Sequence, residues 1–104
     1  MIGLDLLCGG SVLVSAARVE AVDGIDGCGI ILAGSSTQRL EVTGSADELA
    51  EEVGGLVKVM YCWLRPDAVI ELHDENMGTM VLLLSGSVHI PGISPAEIAA
   101  LLEA

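Results

Sequence analysis

Side chains able to do chemistry are few in this chain, and they are scattered. The richest ligand group is His73-Asp74-Glu75, with His89 further on. If His73 ends one strand and His89 lies on the next strand but one, two strand spacings hold them about 9–10 Å apart. Ligands of one zinc ion must all lie within about 2.0–2.3 Å of it, so the pair does not fit a shared metal. Asp and Asn tolerate turn geometry, and His73-Asp74-Glu75-Asn76 reads as a hairpin loop. Cys8, Cys28 and Cys62 form no Cys-x-x-Cys pair, and an odd, widely spaced set argues against a disulfide framework or a structural zinc site. None sits beside a helix start or a basic residue that would activate its thiol. Buried, reduced cysteines of a cytoplasmic protein are the expectation. There is no Gly-x-Ser-x-Gly elbow. Cys8-Gly9-Gly10-Ser11 lacks the lysine and spacing of a phosphate loop and reads as a turn. Asp47-Glu48 and Glu51-Glu52 suit a helix start and its solvent face better than acid–base work. No catalytic residue, cofactor site or metal site is expected.

Charge narrows the partners. Fifteen acids stand against four bases, Arg18, Arg39, Lys58 and Arg65, for a formal net charge of −11. Neutralising a phosphate backbone takes clustered Lys and Arg, so neither nucleic acid nor an anionic membrane is an expected partner. Hydrophobic residues make up 52% of the chain, yet Phe is absent and Tyr61 and Trp63 are the only aromatics. The core must therefore be aliphatic, with few flat faces on which to stack bases or sugars. The N-terminus lacks the basic region of a secretory signal, and Asp5 interrupts its apolar stretch. The longest apolar runs, such as Met80 to Leu84, are too short to span a bilayer.

The elements that would position these side chains repeat. Val12 to Val22 matches Cys62 to Leu72 without a gap, and Gly29-Ile30-Ile31-Leu32 then matches Gly78-Thr79-Met80-Val81. Leu40 and Val42 align with Val88 and Ile90, and Ser45 to Ala50 with Ser94 to Ala99. Such self-similarity marks duplicated supersecondary units. Each unit predicts a first strand (Ile2 to Leu7, Leu56 to Leu64) and a second (19–22, 69–72). A hairpin follows (28–33 with 38–43, 78–84 with 87–90), then a short helix. The break at Gly9-Gly10-Ser11 lets Val12 to Val14 pair separately. Gly34-Ser35-Ser36 and Ser85-Gly86-Ser87 supply turns. Ser45-x-x-Glu48 and Ser94-x-x-Glu97 read as capping boxes, Pro95 fits a first helical turn, and Gly54-Gly55 ends the first helix. Helices this short need tertiary packing, here through Leu49, Val53, Ile98, Leu101 and Leu102. The expected fold is α+β: a single domain, 1–104, of two tandem β-rich units (1–53 and 56–104) packed with pseudo-twofold symmetry.

Met1-Ile2-Gly3-Leu4, Leu7-Cys8-Gly9, Val19-Glu20 and Ser45-Ala46-Asp47-Glu48 together resemble the FlbD-like family of small flagellar- and phage-associated proteins. Pro66-Asp67-Ala68-Val69 is similar to that family's turn before its second strand. The resemblance implies a flagellar, phage or mobile-element setting and transfers no catalytic residue.

Strands of the second unit are apolar almost throughout, which requires cover on both faces. Leu82, Leu83 and Leu84 cannot all enter one core. Together with Tyr61 and Trp63, aromatics of the type enriched at contact hot spots, they are the interface candidates, Trp63 reading also as a filler of the aliphatic core. The leading expectation is a non-enzymatic, homo-oligomeric protein acting through protein–protein interaction or assembly. One alternative is a small-molecule-binding protein or small enzyme with a site between the units. Another is an acidic inhibitor of a nucleic-acid-binding complex.

Overall fold

Short apolar or alternating segments separated by Gly, Asn and Asp fold as antiparallel hairpins. A computed structural model describes residues 1–35 and 39–104, which form an α+β fold. The elements are β1 (Ile2–Asp5), β2 (Ser11–Val14), β3 (Val19–Asp23), β4 (Gly29–Leu32), β5 (Leu40–Glu41) and α1 (Ala46–Val53), followed by β6 (Val57–Val59), β7 (Cys62–Leu64), β8 (Val69–Glu75), β9 (Gly78–Leu83), β10 (Ser87–Pro91) and α2 (Pro95–Glu103). Short 3₁₀ turns, Ala16–Arg18 and Pro66–Ala68, lead into β3 and β8. The order strand, strand, 3₁₀ turn, three strands, helix therefore occurs twice along the chain. Ser36 of the expected first-unit turn and Gln38 of the expected strand 38–43 lie outside the described residues.

The pairing is less symmetrical than the order. One sheet runs β5-β4-β3-β7-β6, so the first hairpin of the second unit extends the sheet of the first. β10-β9-β8 form a second sheet, and β1-β2 stand as a separate pair. Both long hairpins carry the same irregularity: the β3–β4 register shifts between Val19 and Ala21, and the β8–β9 register between Val69 and Glu71. A bulge of this kind re-aims the strand and sharpens its twist.

Two aliphatic clusters hold the fold. One gathers Val59, Cys62, Leu64, Val81, Ile90 and Ile98 and takes in Ala21 and Ile31 from the first unit. The other gathers Ile2, Leu4, Val14, Val22, Ile30 and Leu49 and has Leu56 and Trp63 of the second unit packed against it. Each unit thus lends side chains to its neighbour's core.

Several expectations are corrected. Leu56 to Leu64 is two strands, with a turn at Met60-Tyr61 where Met60 takes φ 58°. No Gly, Pro, Asn or Asp announces that turn, whereas Gly9-Gly10 announces its first-unit counterpart. Ile2 to Leu7 ends as a strand at Asp5, and Leu6 forms an isolated bridge to Val42. His73, Asp74 and Glu75 continue β8, and the loop is the pair Asn76-Met77, both at positive φ. That is the two-residue turn whose twist matches flanking antiparallel strands. The capping box is complete at Ser94, whose hydroxyl accepts from Glu97 N at 3.2 Å while Glu97 Oε1 accepts from Ser94 N. At Ser45 only the hydroxyl half is made, accepting from Glu48 N. Leu101 is exposed on α2, while Ile98 enters the core and Leu102 packs against its margin.

Candidate functional site

The best-organised polar chemistry lies where β7 joins β3. Ala21 faces Leu64, Val22 faces Trp63 and Asp23 faces Cys62 across an antiparallel pair. Gly24 N donates to Tyr61 O at 2.9 Å at one end, and Arg65 N donates to Glu20 O at 2.8 Å at the other. Gly24 is required by proximity: a Cβ there would lie 2.7 Å from Tyr61 O and 3.5 Å from the Trp63 ring. The Arg65 guanidinium reaches back across the joint, donating to Val19 O at 2.7 Å, Ala16 O at 3.0 Å and Gly54 O at 3.5 Å. The planar fork of arginine suits such multiple donation.

Two carboxylates are drawn into the same region. Glu20 is 2% exposed; its Oε1 accepts from Ser85 N at 2.9 Å, and its Oε2 has no hydrogen-bond partner among the described residues. Asp23 pairs with Arg39, which also binds Glu41 at 2.5 Å. Asp23 Oδ1 accepts from Ile25 N at 3.0 Å and from the Cys62 thiol at 3.4 Å. Burial, with the Asp23 charge adding to it, pushes the Cys62 thiol up to about 12. Burial also raises Cys28, against a smaller lowering by Arg39. Burial alone would lower Arg39, but its bonds to Glu41 and Asp23 prevail and raise it. These shifts disfavour thiolates at the joint, so Cys62 is built as a packed donor rather than a nucleophile.

The remaining candidates from the sequence are dispersed. His73 and His89 both stand opposite Met80, on either side of β9. Each has its own partner: His73 Nε2 lies 2.7 Å from Glu71 Oε2, and His89 Nε2 lies 2.9 Å from Glu75 O. Among the described residues no three His, Cys, Asp or Glu side chains gather to hold a metal. Cys8, Cys28 and Cys62 are all free thiols; Cys8 is exposed and the others are buried.

The interface candidates divide by environment. Tyr61 is 67% exposed and Leu84 is 66% exposed. Leu82 and Trp63 are half-buried, and the Lys58 ammonium sits 5.2 Å from the centre of the Trp63 ring. Leu83 is 5% exposed and belongs to the core, so it presents nothing to a partner. Alternation explains the split: successive residues of β9 point to opposite faces, and Leu84 lies beyond its end.

Four surface recesses are each lined by a single unit. One, of about 420 Å³, runs beside β8 and α2 between Pro66, Val69, Leu72, Ala99 and Leu102. Sequence reasoning missed Glu20, Arg65 and the Asp23–Arg39 pair as structural polar groups. Glu20 could have been noticed, since it stands between Val19 and Ala21 in a strand that reads as buried. Arg65 and Arg39 reach partners set by tertiary structure and carry no local signal. No helix is long and apolar enough to cross a membrane among the described residues. Comparison with protein-family models, curated proteins and solved structures yields no match.

Proposed function

We propose that the chain is a tandem duplication that acts without catalysis, through protein–protein assembly, with further copies of itself among its partners. The observation carrying this reading is the contrast between two equivalent strands. β3 is buried along its whole length, while β8 has no buried residue. An edge strand with free N–H and C=O groups is a template for a further strand. The repeated element order and the repeated bulge support descent of each unit from one FlbD-like copy. β7 on β3 supports one half of a pseudo-twofold arrangement; the reciprocal half would place β2 on β8. The reading of a site between the units draws no support from these four recesses, each of which is lined by one unit. A site of that kind needs polar groups converging in a concave pocket. The free thiols favour a cytoplasmic setting. Multi-angle light scattering across about 5–500 μM, which reads association constants in the micromolar to sub-millimolar range, tests the reading. Mass rising with concentration supports it, and a constant monomer mass refutes self-assembly.

A further inference from the structure

β3 and β8 are the same strand of two successive units, and they differ in what lies on their outer edge. β3 pairs with β4 on one side and β7 on the other. β8 pairs with β9 alone among the described residues, and its other edge is bare. On that edge Ile70 is 57% exposed, at the bulge position where Glu20 is covered in the first unit. Beside it lies the apolar groove between Val69, Leu72, Ala99 and Leu102.

The structure also says what fills such an edge: the second strand of another unit's opening hairpin. That hairpin is built alike in both units. Ile2, Gly3 and Leu4 face Val14, Leu13 and Val12, as Val57, Lys58 and Val59 face Leu64, Trp63 and Cys62. β7 is in use on β3, while its counterpart β2 pairs, among the described residues, only with β1. Leu13, the counterpart of Trp63, is 67% exposed within a strand. The chain therefore carries one open acceptor edge and one open donor edge of matching kind.

We infer that β2 of a second copy adds to the bare edge of β8, reproducing the β7-on-β3 joint between molecules. Extending the internal register sets Glu71 opposite the partner's Val14, Leu72 opposite the partner's Leu13, and His73 opposite the partner's Val12. This deepens the assembly reading above and rests on it. The donor comes from another molecule because the first hairpin is anchored at home. Ile2, Leu4 and Val14 are buried in the first unit's own cluster, and swinging β1-β2 onto β8 would expose them. β7 shows the same division of labour, with Cys62 and Leu64 in its own unit's cluster while its edge serves the neighbour. Charge agrees. The segment Ser11 to Ala17 carries none, so it meets Glu71, Asp74 and Glu75 without like-charge repulsion.

Two substitutions make this joint weaker than the internal one. Glu71 stands where Ala21 is fully buried, and Ser15 stands where Arg65 clasps three carbonyls. A carboxylate drawn into a closing strand pair loses water at a cost that its 2.7 Å contact with His73 Nε2 offsets only in part. The association is therefore reversible, and Glu71 sets its strength.

The test uses full-length chains in a Cys8→Ser background, one carrying Leu13→Cys and the other Leu72→Cys. Opposed residues of an antiparallel pair lie about 4.5–5.5 Å apart at Cα, within disulfide reach. Mixing the two variants under mild oxidation should give a reducible covalent heterodimer. Neither variant alone should give a comparable yield. Glu71→Ala should tighten self-association at least tenfold by light scattering or sedimentation. Oligomers without the mixed disulfide would overturn this joint while sparing the assembly reading. A constant monomer mass would overturn both. A chain carrying both cysteines that closes only on itself would show that β2 meets β8 within one molecule, which also overturns the proposal.

Discussion

Cys62 offers a direct measure of how firmly β7 is held on β3. Its side chain is fully buried, and its thiol donates to Asp23 Oδ1 at 3.4 Å across the joint. Folding pushes its ionisation from 9.0 up to about 12. A raised value in the folded state means the folded protein keeps a proton that the unfolded chain gives up. Stability from this source is whole below about pH 9 and is lost as pH rises toward 12. The gap between those two values corresponds to about 4 kcal/mol in all. At pH 10.5 the loss is about 2 kcal/mol, from the ratio of ionised populations in the two states. That is a large fraction of the 5–15 kcal/mol typical of a domain. Cys28 is shifted in the same direction and adds to the loss.

Cys28 shifts in the same direction, so the wild-type curve alone is not decisive. The measurement is the gap in urea-unfolding free energy between wild type and Cys62→Ala. At pH 7 wild type should lead by roughly 1–2 kcal/mol, for a buried side chain and one hydrogen bond. Between pH 8 and pH 10.5 that lead should shrink by about 2 kcal/mol. A gap that stays constant across this interval would refute the assignment of Cys62 as a buried thiol at the joint.

Other outcomes follow from the same geometry. Native protein should consume one equivalent of an alkylating reagent at Cys8, with Cys28 and Cys62 reacting only after denaturation; rapid loss of all three thiols would contradict their burial. Met77→Gly should stabilise, because Met77 holds φ 60° while almost fully exposed. Relief of about 1–2 kcal/mol of left-handed strain, less about 0.5–1 for glycine's entropy, predicts a Tm rise of a few degrees by calorimetry. No binding to random duplex or single-stranded oligonucleotides is expected by fluorescence polarisation at 150 mM salt, since three of the four bases are engaged internally: Arg39 and Lys58 with acids, Arg65 with carbonyls.

Local patterns made the elements legible, and tertiary contacts made the rest opaque. The serines at 45 and 94 start helices because their hydroxyls meet free N–H groups one turn on, a signal contained in four residues. The strand that begins at Val69 was legible in its apolar spacing. The Met60-Tyr61 turn was not legible, since Met60 adopts a backbone that glycine usually supplies. Burial was harder still. Apolar second-unit strands were expected to need cover on both faces, yet the strand covered on every side is β3, with Glu20 and Asp23 in it. What covers β3 is a hairpin some forty residues later in the chain, and no local window contains it. The same reason hid the edge proposed above as a joint. Tyr61 and Leu84 were visible as apolar residues without a core position, but the edge of β8 carries Glu71, His73, Asp74 and Glu75 and looks like an ordinary wet strand.

A joint of donor β2 and acceptor β8 is heterologous, so each added copy again offers one of each. Such joints close into a ring when the rotation permits and otherwise extend into a filament. Growth is opposed by charge, because every copy adds −11, and like charge disfavours compact association. The joint itself is built from backbone bonds and aliphatic contacts, with uncharged β2 facing β8. Salt should therefore strengthen it: screening shortens from about 8 Å at 0.15 M to about 3 Å at 1 M, which removes repulsion and leaves the strand pairing intact. Sedimentation at 0.05, 0.15 and 0.5 M sodium chloride reads this directly. Association that tightens with salt fits strand addition against a repulsive background. Association that loosens with salt would mean that ion pairs hold the copies together, and the bare edge of β8 would not be where they meet.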